Sequence, residues 1–410
     1  MRWRDALSRK LGSTDFDVKT LGEVGQFIRG NGLQKADLTD EGAPAIHYGQ
    51  IHSYYGTWAD RTKSFTAPAL AARLRRARPG DLIVATTSED DAAVAKATAW
   101  IGAGEVAVSG DAYIYRHTLD PRYVAYFFQT RQFHNQKTKH ITGTKVRRIS
   151  GDTLAQVRIP VPSVEVQRAI SDMLDRFSGA VAELEVTLDA ESEARRSQLT
   201  QVRELVLDRD NVSPQGGNVL LSDLVEFTSG KAHERLVSPG GSVALLTARF
   251  ISTAGKSARW VQPKDALTPA HDCDIAMVMS DLPNGRALAR CYFIEGDDKY
   301  TANQRVCLLR VRDRTAVSPR WLYHFLDRNP QLLAFNNGQD QTHLKKGQIL
   351  GVRVPIVPLL EQERAVTTLD GIDAGVRDLS LGLQIEREAR RKQYEYYRDE
   401  LLVFDEVPYG

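Results

Sequence analysis

The residues of this 410-residue chain that could do chemistry are spaced in ways that match few reactions. A nucleotide phosphate is usually held by a Gly-x-x-x-x-Gly-Lys-Ser/Thr loop, or by Gly-x-Gly-x-x-Gly following a strand, and neither occurs. His233-Glu-Arg lacks the second histidine that would place two imidazoles on one helix face for zinc. Asn284-Gly and Asn329-Pro330 do not extend into the Asn-Pro-Pro-aromatic signature of an amino-methyltransferase. Asp111 and Asp281 have the side chain of a nuclease carboxylate, but no paired carboxylate and lysine accompanies them, and a lone loop aspartate more often caps or turns. Cys273, Cys291 and Cys307 are odd in number and form no Cys-x-x-Cys pair, so free thiols are expected in place of bridges or metal ligands.

Nucleic-acid contact is the chemistry the side chains do suit. Ala45 to Trp58 is rich in aromatic and polar groups, among them His47, Tyr48, Gln50, His52, Tyr54 and Tyr55. Lys137 to Arg148 is basic and polar, and Asn336 to Lys346 answers it in the second half with different letters. Arg and Lys hold phosphates or reach guanine, whereas Gln and Asn reach adenine. The candidate DNA contacts in the first half are Tyr48, Gln50, Tyr54, Thr142, Thr144, Lys145, Arg147 and Arg148. Those in the second half are Gln339, Gln341, Thr342, His343, Lys345 and Lys346, with Gln50, Thr144, Gln339 and Gln341 the base-reading candidates. Blander readings stand beside these: Arg73-Leu-Arg-Arg-Ala-Arg78 reads as a solvated helix face, and Tyr48 and Trp58 fit a core equally well.

The elements that would position these residues occur twice. Thr20-Leu-Gly-Glu-Val-Gly-Gln-Phe-Ile-Arg-Gly30 reappears as Leu220-Leu-Ser-Asp-Leu-Val-Glu-Phe-Thr-Ser-Gly230. Each copy also closes alike, Arg158-Ile-Pro through Glu165 and Arg168-Ala-Ile answering Arg353-Val-Pro through Glu361 and Arg364-Ala-Val. Residues 21–160 and 221–355 each hold 18 Lys/Arg against 13 Asp/Glu, a net of +5. Residues 161–210 hold 6 against 11, a net of −5, and 356–405 hold 7 against 11, a net of −4. In the first acidic segment Ile170, Leu174, Phe177, Val181, Leu184 and Leu188 alternate steps of four and three, as do Leu369, Ile372, Val376, Leu379 and Leu383 in the second. That is a coiled-coil seam, led by Pro160 and Pro162 in one case and by Pro355 and Pro358 in the other. Ile170 to Leu207 would make a rod of roughly 57 Å, and two matched helices in one chain are expected to pair antiparallel, with the polar stretch Asp208–Gly217 as the linker.

The fold class expected is α+β: a domain at 1–160, a long helix at 161–210, a second domain at 211–355 and a second long helix at 356–410, with buried strands at Asp81–Thr87 and Asp274–Ser280 and equivalent helices led by Pro121 and Pro319. Hydrophobic residues at 42% and charged residues at 26% are ordinary for a globular protein. No stretch nears the ~20 apolar residues of a membrane span, and Met1-Arg-Trp-Arg-Asp does not begin a signal peptide. A soluble, cytoplasmic protein is expected.

The head motif Leu-Gly-Glu-Val…Phe-x-x-Gly and the closing Arg-Ile/Val-Pro…Glu-x-x-Arg-Ala-Ile/Val resemble the target recognition domains of type I restriction–modification specificity subunits. Glu388-Ala-Arg-Arg-Lys-Gln-Tyr-Glu-Tyr-Tyr-Arg-Asp-Glu-Leu-Leu resembles the end of that family's conserved helix, and the likeness runs from about Leu21 to Phe404. The first helix departs from it, since Ala194–Arg203 lacks the Tyr-rich run. The resemblance implies a non-catalytic reader of double-stranded DNA with a bipartite asymmetric target. It also implies two methyltransferase subunits and motor–endonuclease subunits as partners, with S-adenosylmethionine, ATP and magnesium belonging to them and no cofactor here. The alternatives are a two-lobed adaptor without DNA readout and a self-contained nuclease.

Overall fold

The duplication in sequence becomes a duplication of elements. The computed structural model describes residues 16–143, 146–207, 217–281, 287–336, 338 and 341–402; of the expected linker only Gly217 falls among them. Each domain opens with a strand, a one-turn helix and a strand: Asp17–Thr20, Leu21–Val24 and Gly25–Arg29, then Asn218–Leu220, Leu221–Leu224 and Val225–Ser229. Thr20 starts its helix with a capping box, its Oγ1 accepting from Glu23 N at 3.2 Å while Glu23 Oε2 accepts from Thr20 N at 2.6 Å. Leu220 has no such side chain, and there the wholly buried Leu221 holds the turn, as Leu21 does in the first copy. The glycine ending each motif is forced by a close approach. A Cβ on Gly30 would stand 2.2 Å from Ser109 O, and one on Gly230 2.1 Å from Asn303 O.

The first domain carries a five-stranded sheet in the order Gly25–Arg29, Ala112–His117, Leu82–Ala85, Ala97–Trp100 and Trp58–Ala59. The second has four strands in the order Val225–Ser229, Val306–Val311, Ile275–Val278 and Cys291–Phe293. In register Phe27 faces Tyr115 and Phe227 faces Leu309. A buried carboxylate precedes the central strand of each sheet and is gripped by an arginine of the neighbouring strand: Asp81 by Arg116 at 2.9 Å and Asp274 by Arg310 at 2.8 Å. A smaller sheet flanks each, with Ala43–Ile46 parallel to Val106–Val108 in one domain and Val243–Leu246 parallel to Tyr300–Ala302 in the other. The helices expected from their leading prolines are present as Pro121–Phe127, capped by Asp120, and Pro319–Leu326, capped by Ser318. Their apolar faces complete the cores with Tyr123, Tyr126 and Phe127, and with Trp321, Leu322 and Leu326.

Two helices of 44 residues, Val164–Leu207 and Leu359–Leu402, are the rods. Each starts earlier than its apolar seam. The residues ahead of the first, Arg158–Val161, form a strand paired with Asp17–Thr20, and Arg353–Pro355 pairs likewise with Asn218–Leu220. Pro160 and Pro355 are tolerated there because a two-stranded ribbon leaves the missing N–H on an open edge. The chain divides into two compact units, one holding the first domain to Asp189 plus Gln384 onward, the other Ala190 to Leu383. Inside the first unit the rings of Phe177 and Tyr397 lie 6.1 Å apart and Asp189 pairs with Arg387, so the rods run antiparallel. Inside the second, Arg203 approaches Asp373 at 3.8 Å. The seam is closed beside each domain, where Ile170, Leu174 and Leu369 are buried, is looser at Phe177 and Leu379, which are 40% and 37% exposed, and is closed again at Leu188.

Arg73 to Arg78 is not a helix face. The helix ends at Ala71, and Arg76–Ala77 is an edge strand against Val106–Ala107, stabilised by Arg76 and Arg78 on Glu105. Pro79-Gly80 follows, and Gly80 takes φ +95° to turn the chain.

Each rod is locked to its domain by the same contacts. Gln167 Oε1 accepts from Asp120 N at 2.8 Å and its Nε2 donates to Pro162 O; Gln362 accepts from Ser318 N at 2.8 Å and donates to Val357 O. Two turns on, Asp175 accepts from Arg122 at 2.6 Å, Tyr126 Oη at 2.6 Å and Trp58 Nε1 at 3.0 Å. Asp370 accepts from Arg320 at 2.9 Å and from His324 Nε2 at 2.8 Å. His324 is wholly buried and its Nδ1 accepts from Arg203; burial lowers its pKa and keeps the ring neutral. Asp175→Ala would remove the acceptor that Arg122, Tyr126 and Trp58 share, leaving Arg122 with Asp172 alone, and is expected to cost about 2–4 kcal/mol in urea denaturation. Asp172→Ala removes a carboxylate that is 57% exposed and pairs with the same arginine, and should cost under ~1 kcal/mol. Equal losses from the two would show that Asp175 is no clamp.

Candidate nucleic-acid interface

Two-residue strands carry no sequence period, yet the candidate contacts of both halves converge on such strands. In the first domain Arg147–Arg148 pairs antiparallel with Thr87–Ser88. Thr142 and Arg148 exchange backbone hydrogen bonds of 3.0 and 2.9 Å, folding the chain into a hairpin. Gly143 turns it at φ +93°, where a Cβ would meet Val146 O at 2.1 Å. Thr144 and Lys145 lie outside the described residues. Arg147 is committed to its surroundings, with Nε 2.8 Å from Asp91 Oδ1 and a further bond to Gly143 O. Arg148 is exposed and has no carboxylate partner among the described residues, which leaves its charge available.

The aromatic segment reaches the same place. His47 caps the short helix Tyr48–Ser53, its Nδ1 accepting from Gly49 N at 3.2 Å. His52 Nε2 donates to Thr87 O at 2.9 Å, tying the helix to the ribbon. Gln50 is occupied at both ends of its amide: Oε1 accepts from His47 N at 3.0 Å and Nε2 donates to Ser64 Oγ at 2.8 Å. A base would have to displace one of these bonds. Tyr48 is half-buried against the core, whereas Tyr54 is exposed beside Tyr55 with Lys63 4.6 Å above its ring. Trp58 is partly exposed, and its indole N–H is spent on Asp175.

The second domain builds the same ribbon from Ser280–Asp281 and Thr342–His343. Gln341 Nε2 donates to Ser280 Oγ at 3.0 Å and Thr342 Oγ1 to Asn336 Oδ1 at 3.2 Å, while His343 is exposed. Lys345 occupies the cap of the helix Lys346–Leu350, and Lys346 sits 5.4 Å over the Phe227 ring, both exposed. Gln339 lies outside the described residues.

Lys137, at the head of the basic run, is not at the surface. It is 1% exposed, and Nζ donates to Ala92 O at 2.8 Å and to Val94 O, bracing the loop that carries Asp91. Burial pushes its pKa down to about 8. The repeat holds the signal for this. Gln136 clasps the N–H and C=O of Arg158, Gln331 clasps those of Arg353, and the next residue is Lys137 in one copy and Leu332 in the other. Sequence reasoning also missed Arg249, Arg259 and Arg305, which line a cavity of about 600 Å³ in the second domain. Arg249 falls in the copy of the Tyr48–Ser53 helix, which a closer alignment of the two halves would have exposed. Among the described residues no cluster of three or more His, Cys, Asp or Glu is arranged to hold a metal, and no helix is long and apolar enough to cross a membrane.

Two domains that share a backbone, differ in the side chains built on it, and are each bolted to a rod make a duplicated two-domain protein. The profile described as type I restriction modification DNA specificity domain matches residues 13–193 and 253–386, and the chain belongs to this family as a specificity subunit with two recognition regions. It is 27% identical over 276 residues to the EcoR124I/EcoR124II specificity subunit of a type I restriction enzyme from Escherichia coli, covering 61% of this chain and 64% of that one. The match therefore spans less than two thirds of that relative. A chain solved in work on complex assembly and conformational transition of the type I R-M system superposes with a TM-score of 0.72 at 15% identity, over 95% of this chain and 98% of that one. The HsdS subunit from Thermoanaerobacter tengcongensis gives 0.53 at 16%, over 95% and 97%. These two structures bear on the fold alone.

Lys137 also sets a pH dependence. Below pH 8 the ammonium is protonated folded and unfolded, and its burial cost is carried in full. Between about 8 and its ordinary 10.5 the folded state loses the proton first, so the unfolded state binds more protons and stability rises with pH. The stability of the wild type relative to Lys137→Met should therefore climb from pH 8 to 10.5 in urea titrations; a flat difference would mean the amine is not buried in solution.

Proposed function

We propose that the chain is the non-catalytic DNA-reading subunit of a type I restriction–modification complex. The observation that carries this is the ribbon built twice on one backbone, written Arg147-Arg148 in one domain and Thr342-His343 in the other. A frame held constant around a changed edge suits two different half-sites of double-stranded DNA, so the target is bipartite and asymmetric. Two-stranded ribbons fit the major groove, where the four base pairs are distinguishable. Half-sites roughly one helical turn apart, about 34–36 Å, would present both to one side of the duplex.

The charge split supports separate tasks for domain and rod. Domains of net +5 suit phosphate, whereas rods of −5 and −4 do not. The rods instead expose apolar side chains, Val186, Leu205, Leu381, Ile385, Tyr396 and Tyr397 among them. Such a surface suits protein partners, here two methyltransferase subunits and the motor–endonuclease subunits, which bring S-adenosylmethionine, ATP and magnesium. The setting is the cytoplasm.

Arg148→Ala should weaken duplex binding for all sequences and lower the slope of log K against log salt by about 0.9, the share of one phosphate; an unchanged slope would move the phosphate contact elsewhere. Replacing 21–160 by another domain of the same frame should change one half of the methylated motif, read by methylation-aware sequencing. A change in both halves would defeat independent reading, and cleavage or methylation by the purified chain alone would defeat the non-catalytic assignment.

A further inference from the structure

The two domains keep one backbone where the short helix meets the ribbon and furnish it with opposite charge. Thr86 N donates to Asp111 O at 3.0 Å in the first domain, and Met279 N donates to Arg305 O at 2.9 Å in the second. Asp111 and Arg305 thus hold the same position, opposite the residue that precedes the ribbon's first strand. Two residues after the helix cap, His47 or Thr247, stands Gly49 in one copy and Arg249 in the other. The first domain fills this place: the His47 and Tyr48 rings pack at 4.6 Å, and Gln50 bridges to Ser64. The second puts Ala248 where Tyr48 stood, and the cavity of about 600 Å³ opens.

Its wall carries three guanidinium groups, Arg249, Arg259 and Arg305, with the hydroxyls of Thr247 and Ser257. None of the three arginines is ion-paired among the described residues. The single carboxylate on the wall, Glu234, is turned to the amides of Asn303 at 3.0 Å and Gln304 at 3.4 Å. Three cations facing one carboxylate leave an excess of positive charge that an anion would relieve. Shape narrows the anion. Base edges lie on the floor of a groove and are reached by convex elements such as the ribbon, whereas a hollow receives what protrudes from a duplex, its phosphates. The guanidinium fork matches paired phosphate oxygens.

We propose that this hollow is a phosphate site peculiar to the second domain. It seats one backbone phosphate of the bound duplex and so fixes the register in which the Ser280–Asp281/Thr342–His343 ribbon enters the groove. The proposal rests on the DNA-reading function. It makes the two half-sites unequal, the second bound with the larger dependence on salt.

The test uses the full chain, the triple variant Arg249→Ala/Arg259→Ala/Arg305→Ala, and the single variant Arg305→Ala. Arg249 and Arg305 are exposed, so their removal spares the core. Two probes are applied: a duplex carrying the methylated motif across a salt series, and inorganic pyrophosphate in thermal melts. The triple variant is expected to bind the duplex roughly tenfold or more weakly, with a salt slope lower by about one unit, and the Arg305→Ala motif should stay unchanged. Pyrophosphate should raise the melting temperature of the wild type and not of the triple variant. Loss of the pyrophosphate effect with duplex binding intact would make this a site for a free anion and overturn the duplex assignment. Relaxed recognition at one base in Arg305→Ala would overturn phosphate in favour of base reading. No difference with either probe would overturn the site. A wild-type chain that binds no duplex even at low salt would refute the DNA-reading function instead, leaving the pyrophosphate result to decide on the hollow.

Discussion

The contact on which the rest depends is the carboxylate that each rod offers to its domain about three turns from its start. Asp175 and Asp370 face Arg122 and Arg320, the second residues of equivalent helices, and the glutamine one turn from the rod's start caps those same helices from below. Ionic hydrogen bonds that are partly withdrawn from water are directional as well as strong. Together with the glutamine they fix both the position and the rotation of the rod against the domain. The next connection outward is covalent: rod to the strand Arg158–Val161 or Arg353–Pro355, strand to the short helix before it, and that helix to the ribbon. A ribbon of two-residue strands has little stability of its own, and takes its rigidity from this chain of attachments.

What the duplication conserves is therefore backbone geometry. Gly30 and Gly230 allow the same close approach, Asp81 and Asp274 hold the same arginine, and Gln136 and Gln331 clasp the same strand. Side chains have diverged wherever the backbone bond does not need them. Tyr126 gives way to His324 on the clamp, Lys137 to Leu332 in the core, and Asp111 to Arg305 beside the ribbon. The clamp substitution shows how: a phenol and a neutral imidazole each donate one hydrogen bond to the same carboxylate, so chemistry changes while geometry stays.

The rods, the central strands and the proline-led helices were legible in the sequence because each has an apolar period or a terminal signal long enough to stand out. The ribbon strands were not, since two residues set no period; what marked their location was charge and polarity recurring at the same point in both halves. Arg158–Val161 was read as a lead-in to the helix because its prolines fit that role, and its pairing with Asp17–Thr20 is a contact across the whole domain. Arg73 to Arg78 read as a solvated helix face, and the edge strand there depends on Val106 arriving from elsewhere. Lys137 was misplaced for a related reason: a lysine is buried only where backbone carbonyls wait for it, and Ala92 and Val94 come from a distant loop. Gln50 was read as a base-reading candidate from its residue type, and its engagement with Ser64 is tertiary and left no mark in sequence.

The division of the rods between the two units has a consequence for synthesis. Leu401 and Leu402, at the far end of the second rod, are buried in the same core as Ile170 and Leu174 of the first. Every residue of the second unit lies between Ala190 and Leu383. On the ribosome, where chains emerge amino end first, the domain made first is completed last: it must keep an apolar face uncovered while some two hundred further residues are added. The later domain has all its parts as soon as it emerges. Exposure to chaperones and proteases thus falls unequally on the two halves of a symmetric design, and the first-made half carries the greater share.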